Sequence, residues 1–309
     1  MIFRAIIALM LLAALPAVAE LPVVDIPPGH MKTFLVIHPH HDDHSWVSGQ
    51  AGLVTKLVDA GWAGYYVRVS NDEKDGPHGY PHDDMVNLFE AREATENLGI
   101  KDVISLNWRN DYMDPTPHNE IRAQLILLIR KYRPDLVTSY HPWGHYDRNP
   151  DHRKVAKAIG EGVWLAGFAN VHPEHRKLGL KPHRVPYKFY SQRFDYGKGY
   201  EPNVVVELSE SNIRRKARSF WVHRNVRLRG STGRRIRQLL KDQGLAIPEL
   251  DGLTDIEAHA RMQEWSMYDA ARKVGGEHGI EYGEIYAHLG EWHPWPGLRD
   301  HIYSNAVDK

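Results

Sequence analysis

Short, β-branched apolar runs alternate with helix-length segments through the first half of the chain, and this alternation restricts the fold more than any other feature. Thr33–Ile37 is such a run and stops at Pro39, as a buried strand does. A helix is expected over roughly Trp46–Ala60, followed by a strand at Tyr65–Ser70 and a helix at Asp84–Leu98 that ends at Gly99. Val103–Leu106 reads as strand, Thr116 opens a helix with Pro117 at its first position, and Leu136–Ser139 reads as the next strand. Beyond Gly167 the sequence becomes more helical. Extended runs at Tyr187–Phe194 and Asn203–Leu208 precede helices at Glu210–Val226, Arg234–Lys241 and Asp255–Val274, the last opened by the capping box Thr254-x-x-Glu257. The expected fold is α/β: a Rossmann-like three-layer sandwich with a mostly parallel sheet and a more helical C-terminal elaboration. Sites in such sheets lie in loops beyond the carboxyl ends of the strands.

The first 19 residues stand apart from that pattern. Arg4 gives a positive start, Ala5–Leu15 is apolar but short for a membrane span, and Ala17-Val18-Ala19 precedes Glu20 as a small-residue cleavage site. The expectation is a signal peptide over residues 1–19, export to the periplasm or medium, and no stable membrane span after processing. Residues 20–309 then form a single domain, with a core over about 30–226 and the elaboration over 227–309. Basic and acidic side chains balance at 39 each, so no overall positive field points to nucleic acid. Nothing in the sequence speaks to oligomeric state. Cysteine is absent, which excludes disulfides, thiolate ligands and a cysteine nucleophile, so any metal site must use His, Asp or Glu.

Two segments supply those residues. His38-Pro39-His40-His41-Asp42-Asp43-His44 places four histidines and two aspartates in seven residues directly after a strand. His141-Pro142-Trp143-Gly144-His145-Tyr146-Asp147-Arg148-Asn149-Pro150-Asp151-His152 also follows a strand and runs into a helix, Arg153–Gly160. Folding requires neither concentration. Two strand-end loops rich in imidazole and carboxylate suit one nitrogen- and oxygen-ligated ion, with a His and an Asp from the first loop and a His from the second. A carboxylate left over beside that set is a candidate base. His38 is read separately, as a strand-end histidine bonded to backbone.

At these residues the chain resembles the LmbE-like, or PIG-L-type, family of zinc-dependent N-deacetylases. That family's first motif, Pro-His-x-Asp-Asp-Glu, is similar to Pro39-His40-His41-Asp42-Asp43-His44, and its His-Pro-Asp-His motif to Asn149-Pro150-Asp151-His152. Weaker agreement runs through Asn71-Asp72-Glu73, Glu90, Asp111 and Lys216-Ala217 with His223. The resemblance implies one zinc per chain on His40, Asp43 and His152, with Asp42 as general base and Asp151 orienting a ligand or a proton donor. Glu73, Asp111 and Arg148 are candidates to hydrogen-bond sugar hydroxyls. The implied reaction is removal of an acetyl group from an N-acetylated saccharide or glycoconjugate.

The chain departs from the family twice. His44 stands where a Glu is usual, and Asn149 stands where a His is usual. Asn149 can donate a hydrogen bond to a developing oxyanion but cannot give a proton, so His145, four residues earlier, is the candidate to take over that role. Two alternatives remain open on these grounds: another metallohydrolase, such as a phosphoesterase with His38 or His44 on a second ion, and a catalytically silent saccharide binder.

Overall fold

A computed structural model of the chain describes residues 21–110, 113–143, 147–192, 201–227 and 232–290. The expected signal peptide over residues 1–19, and the candidates Asp111 and His145, lie outside the described residues.

The described residues build an eight-stranded sheet in the order β1-β7-β8-β6-β5-β2-β3-β4. Its strands are β1 (Val23–Val24), β2 (Thr33–His38), β3 (Ala63–Ser70), β4 (Asp102–Trp108), β5 (Leu136–Tyr140), β6 (Tyr187–Ser191), β7 (Val204–Leu208) and β8 (Tyr282–Leu289). Pairing is parallel from β6 through β5, β2 and β3 to β4, and β1 is parallel to β7. Among the described residues, only β8 runs against its neighbours, β6 and β7. The helices are α1 (Ala51–Asp59), α2 (His82–Leu98), α3 (His118–Tyr132), α4 (Pro150–Leu165), α5 (Glu210–Val222), α6 (Arg224–Arg227), α7 (Thr232–Asp242) and α8 (Asp255–Glu277).

Alternation along β2 sorts the core into two halves. Phe34 and Val36 face a cluster with residues of α1, α2, α5 and α8, whereas Leu35 and Ile37 face one with residues of α3 and α4. This is the three-layer α/β arrangement expected from the sequence, because a strand buried on both faces must be apolar at every position. The C-terminal part is mainly helical but returns β8 into the sheet between β6 and β7.

Several boundaries differ from the sequence reading. The first helix begins at Ala51, not near Trp46, because Asp43–Ser45 forms a separate 3-10 turn and the Val47 and Gly49 carbonyls accept from Lys216 Nζ. Pro117 caps α3 with an extended ψ of 122° and is not its first helical residue. The helix read from Arg153 starts at Pro150, capped by Asn149. Gly99 ends α2 as expected, at φ 83°, a conformation that favours glycine. The Thr254–Glu257 capping box forms as read.

Strand order reverses between β2 and β5: successive strands β3 and β4 lie on one side of β2, and β5 and β6 on the other. Loops leaving β2 and β5 therefore flank a switch-point crevice, where open α/β sheets hold their ligands.

Candidate metal centre

Both histidine-rich segments leave strands at that crevice. His40 and Asp43 lie just beyond β2, and His152 lies in the first turn of α4, which follows β5. All three are buried. His40 Nδ1 is 3.1 Å from His152 Nε2 and 3.3 Å from Asp43 Oδ2, and His152 Nε2 is 3.2 Å from Asp43 Oδ1. Donor atoms on a tetrahedral zinc with bonds of 2.0–2.1 Å sit about 3.3 Å apart, so the spacing fits a single ion.

The other nitrogen of each ring is committed elsewhere. His40 Nε2 donates to Asp151 Oδ2 at 3.3 Å, and His152 Nδ1 donates to Asp147 Oδ2 at 2.7 Å. A carboxylate behind each imidazole fixes the tautomer and aims the remaining lone pair at the ion. Asp43 is fixed in turn: Oδ2 accepts the His40 backbone N–H at 2.9 Å, and Oδ1 accepts the Tyr140 hydroxyl at 3.1 Å. Two imidazole lone pairs facing each other need a cation between them. Burial alone would lower the His40 and His152 pKa values, but Asp43, with Asp151 at His40 and Asp147 at His152, outweighs it and raises both. Asp43 is driven well below the usual carboxylate range, because the two imidazoliums overcome its burial.

Asp42 is buried beside this set, and its Oδ2 accepts the Trp46 indole N–H at 2.8 Å. Asn149 accepts the Asp151 backbone N–H at 2.9 Å and so serves as the N-cap of α4. Arg148 is exposed on the preceding loop. Glu73 is buried, with Oε1 paired to Arg109 Nη2 at 2.7 Å and Oε2 accepting from Asn71 at 3.1 Å. His38 bonds the Gln50 side chain, not backbone, and burial lowers its pKa to about 4. His44 is buried as well, and burial with its neighbouring His38 takes it to about 3. Both rings are neutral, and neither belongs to the His40 set.

Sequence reasoning passed over Asp147 and Asp75. Asp147 lies inside the quoted second segment, but its pairing with His152 depends on how the loop folds back onto α4. Asp75, with Asp72 and His40, forms a further close group of possible ligands. Burial pushes the Asp75 carboxyl up to about 7, His40 opposing and Asp72 and Asp42 adding to the rise. Asp72 itself holds φ at 54°, an uncommon conformation for a non-glycine residue. A separate cavity of about 340 Å³, lined among others by Lys216, Met267, Glu284 and Tyr286, includes none of these side chains. Lys216 and Glu284 there pair with each other at 2.7 Å.

Comparison with known proteins places the same part of the chain in context. Residues 35–162 match the family model described as PIG-L: GlcNAc-PI de-N-acetylase. Over 190 residues the chain is 28% identical to the diacetylchitobiose deacetylase of Thermococcus kodakarensis, covering 60% of this chain and 67% of that protein. It is 27% identical over 176 residues to a probable N-acetyl-alpha-D-glucosaminyl L-malate deacetylase 2 of Bacillus anthracis, covering 50% and 76%. Among solved structures, N,N'-diacetylchitobiose deacetylase from Pyrococcus horikoshii aligns with a TM-score of 0.62 at 24% identity, covering 86% of this chain and 88% of that one.

Proposed function

The chain carries a PIG-L-type domain, and from that premise we propose that it is an exported, zinc-dependent hydrolase that removes the acetyl group from an N-acetylated amino sugar or its conjugate. One observation carries the reading: His40 Nδ1, Asp43 and His152 Nε2 converge within 3.1–3.3 Å of one another at the switch point of the sheet. The relatives named above are deacetylases of N-acetylated sugars, and the donor set is one that zinc favours.

His40, Asp43 and His152 would hold the ion. When bound, it supplies a lowered water pKa and a polarised acyl carbonyl. Asp42 takes the proton from the attacking water as general base, with the Trp46 indole fixing its carboxylate. Asp151 and Asp147 keep the two ligand imidazoles in their working tautomers. Asn149 spends its carbonyl oxygen on the helix cap, so only its NH2 can face a developing oxyanion. His145 is assigned the proton delivered to the departing amine, an assignment that rests on its place in the second segment. Sugar hydroxyls fall to Asp111 and Arg148. Glu73 contributes by holding Arg109. The N-terminal segment supports export, and a substrate met outside the cytoplasm follows from it: an envelope or extracellular glycan or a fragment of one.

Acetate release from a panel of N-acetylated saccharides by the zinc-loaded protein is the test. Release by the native chain and none by His40→Ala/His152→Ala is the expected result. Saccharide binding without acetate release would leave a silent binder, and hydrolysis of phosphate esters in its place would favour a phosphoesterase.

A further inference from the structure

One residue along the loop from His40, a second set of buried side chains converges that the reaction above does not use. His41, Glu90 and His223 each offer a ligand atom within 4.8 Å of the other two. They come from three places: the loop after β2, the middle of α2, and the residue that closes α5. His41 and His223 are fully buried, and Glu90 is 5% exposed. Among the described residues, no hydrogen bond reaches either ring nitrogen of His223 or Nε2 of His41, and His41 Nδ1 has only the Asp72 carboxylate, at 3.5 Å. An imidazole always carries a donor, and leaving it unpaired in the interior is costly. Two such rings meeting edge to face at 5.0 Å, beside a buried carboxylate, call for a shared partner.

We propose that His41, Glu90 and His223 form a second metal site, structural in role, for a transition-metal dication of the zinc type. Two imidazoles and one carboxylate suit zinc or cobalt and do not suit magnesium or calcium, which take oxygen ligands. Asp72 Oδ2 stands 3.5 Å from His41 Nδ1, the placement of a carboxylate that steers a ligating ring, with Nε2 then carrying the lone pair. Glu90 accepts the Asn225 backbone N–H at 3.1 Å on one oxygen and 3.2 Å on the other, which aims its carboxylate and leaves lone pairs for an ion. Arg224 Nε approaches that carboxylate only to 3.7 Å, from an exposed side chain. His44, buried with both nitrogens unpartnered and its ring 5.6 Å from that of His223, is the nearest fourth ligand.

This site uses its own ligands: none of them belongs to the set of His40, Asp43 and His152, so removing His40 and His152 leaves all three in place. An ion here ties the loop that bears His40 and Asp43 to α2 and to the end of α5, which gives the catalytic loop an anchor that backbone hydrogen bonds alone do not supply.

Metal stoichiometry tests the proposal, whatever the chain's substrate proves to be. The full-length protein is stripped with chelator, checked for folding by circular dichroism, and titrated with Co2+ alone. Two equivalents are expected for the native chain and one for His40→Ala/His152→Ala, which leaves the second set intact. That remaining equivalent should show the d–d bands of low-coordinate cobalt and should raise the thermal midpoint. Adding His223→Leu to the double variant should remove it. One equivalent in the native chain with none in His40→Ala/His152→Ala overturns the proposal. So does an equivalent in the double variant that survives His223→Leu.

Discussion

Asp147 carries the most discriminating single substitution, because both of its carboxylate oxygens are in use. Oδ2 accepts the His152 Nδ1–H at 2.7 Å, and Oδ1 accepts the Asn149 backbone N–H at 2.9 Å. Asp147→Asn keeps the shape but turns one acceptor into a donor, and no rotation of the amide serves both partners. With its NH2 toward His152, the ring must switch tautomer and direct its proton from Nε2 into the donor set. With its NH2 toward Asn149, two donors oppose each other at the start of α4. The first arrangement abolishes the ligand and the second strains the turn that positions it. Loss of a carboxylate behind a ligating histidine typically costs 10- to 100-fold in metal affinity, about 1.4–2.7 kcal/mol. The upper half of that range is expected here, since neither amide orientation escapes. Competition against a chromophoric zinc chelator measures the affinity, and acetate release at saturating zinc measures what remains of the rate. An affinity within twofold of the native value would refute the assignment of Asp147 as the carboxylate that fixes the His152 tautomer.

Further outcomes follow from the same geometry. Asp42→Asn should lower the maximal rate by about 100- to 10,000-fold while zinc stays bound, whereas Asp43→Asn should weaken the metal itself; paired kinetic and metal analyses separate the two. Zinc binding at the His40, Asp43 and His152 set in the metal-free protein should release protons from His40 and His152, whose pKa values the neighbouring carboxylates raise above the ordinary imidazole value before the ion enters. Calorimetry in buffers of different ionisation enthalpy counts them, and zinc affinity should fall as pH drops. Asn149→Ala should lower stability by about 1 kcal/mol through loss of the α4 cap, and Asn149→Asp should retain it, as read from denaturant melts. His259 is held near a pKa of about 4 by burial, so the folded chain loses stability as pH falls from about 6.5, where the unfolded chain takes up the proton, toward 4. His259→Phe should lessen the fall in thermal midpoint over that window.

Elements with strong local signals were legible in the sequence, and those set by distant partners were not. Strands β2 and β5 are buried along nearly their whole length, so the short runs Thr33–Ile37 before Pro39 and Leu136–Ser139 were enough to place them and the loops that follow. Strand β8 reads Tyr-Gly-Glu-Ile-Tyr-Ala-His-Leu. That mixture gives no apolar run, and its position inside the sheet comes from pairing with β6 and β7, which lie far back in the chain. The segment between Asp43 and Gln50 misled for a related reason. Its residues tolerate a helix, but Lys216 takes up the Val47 and Gly49 carbonyls across the fold and is itself neutralised by Glu284. The same contrast holds at the site. His40, Asp43 and His152 sit in two compact motifs, so the set could be named from spacing and resemblance. The partners that tune it are visible only in three dimensions: Asp147 through a loop folded back on a helix, Gln50 on His38, and Asp75 beneath His40.

The two departures from the family motif act on different sides of the chemistry. Neither His44 nor Asn149 contributes an atom to the set formed by His40, Asp43 and His152, although Asn149 caps the helix turn that carries Asp151 and His152. At position 44 a carboxylate would join Asp42, Asp43 and Asp72 in the interior, where like charges raise one another's cost. A neutral ring avoids that repulsion and adds a nitrogen beside His223 instead. At position 149 the amide keeps the one task that helix α4 requires, capping the N–H of Asp151. The task it gives up is donation of a proton, which matters only as the amine departs. On the proposed mechanism, a chain with these two changes keeps its ligand set and its helix cap, and its rate turns on whether His145 supplies that proton. Metal content and stability cannot stand in for activity here, and product release must be measured directly.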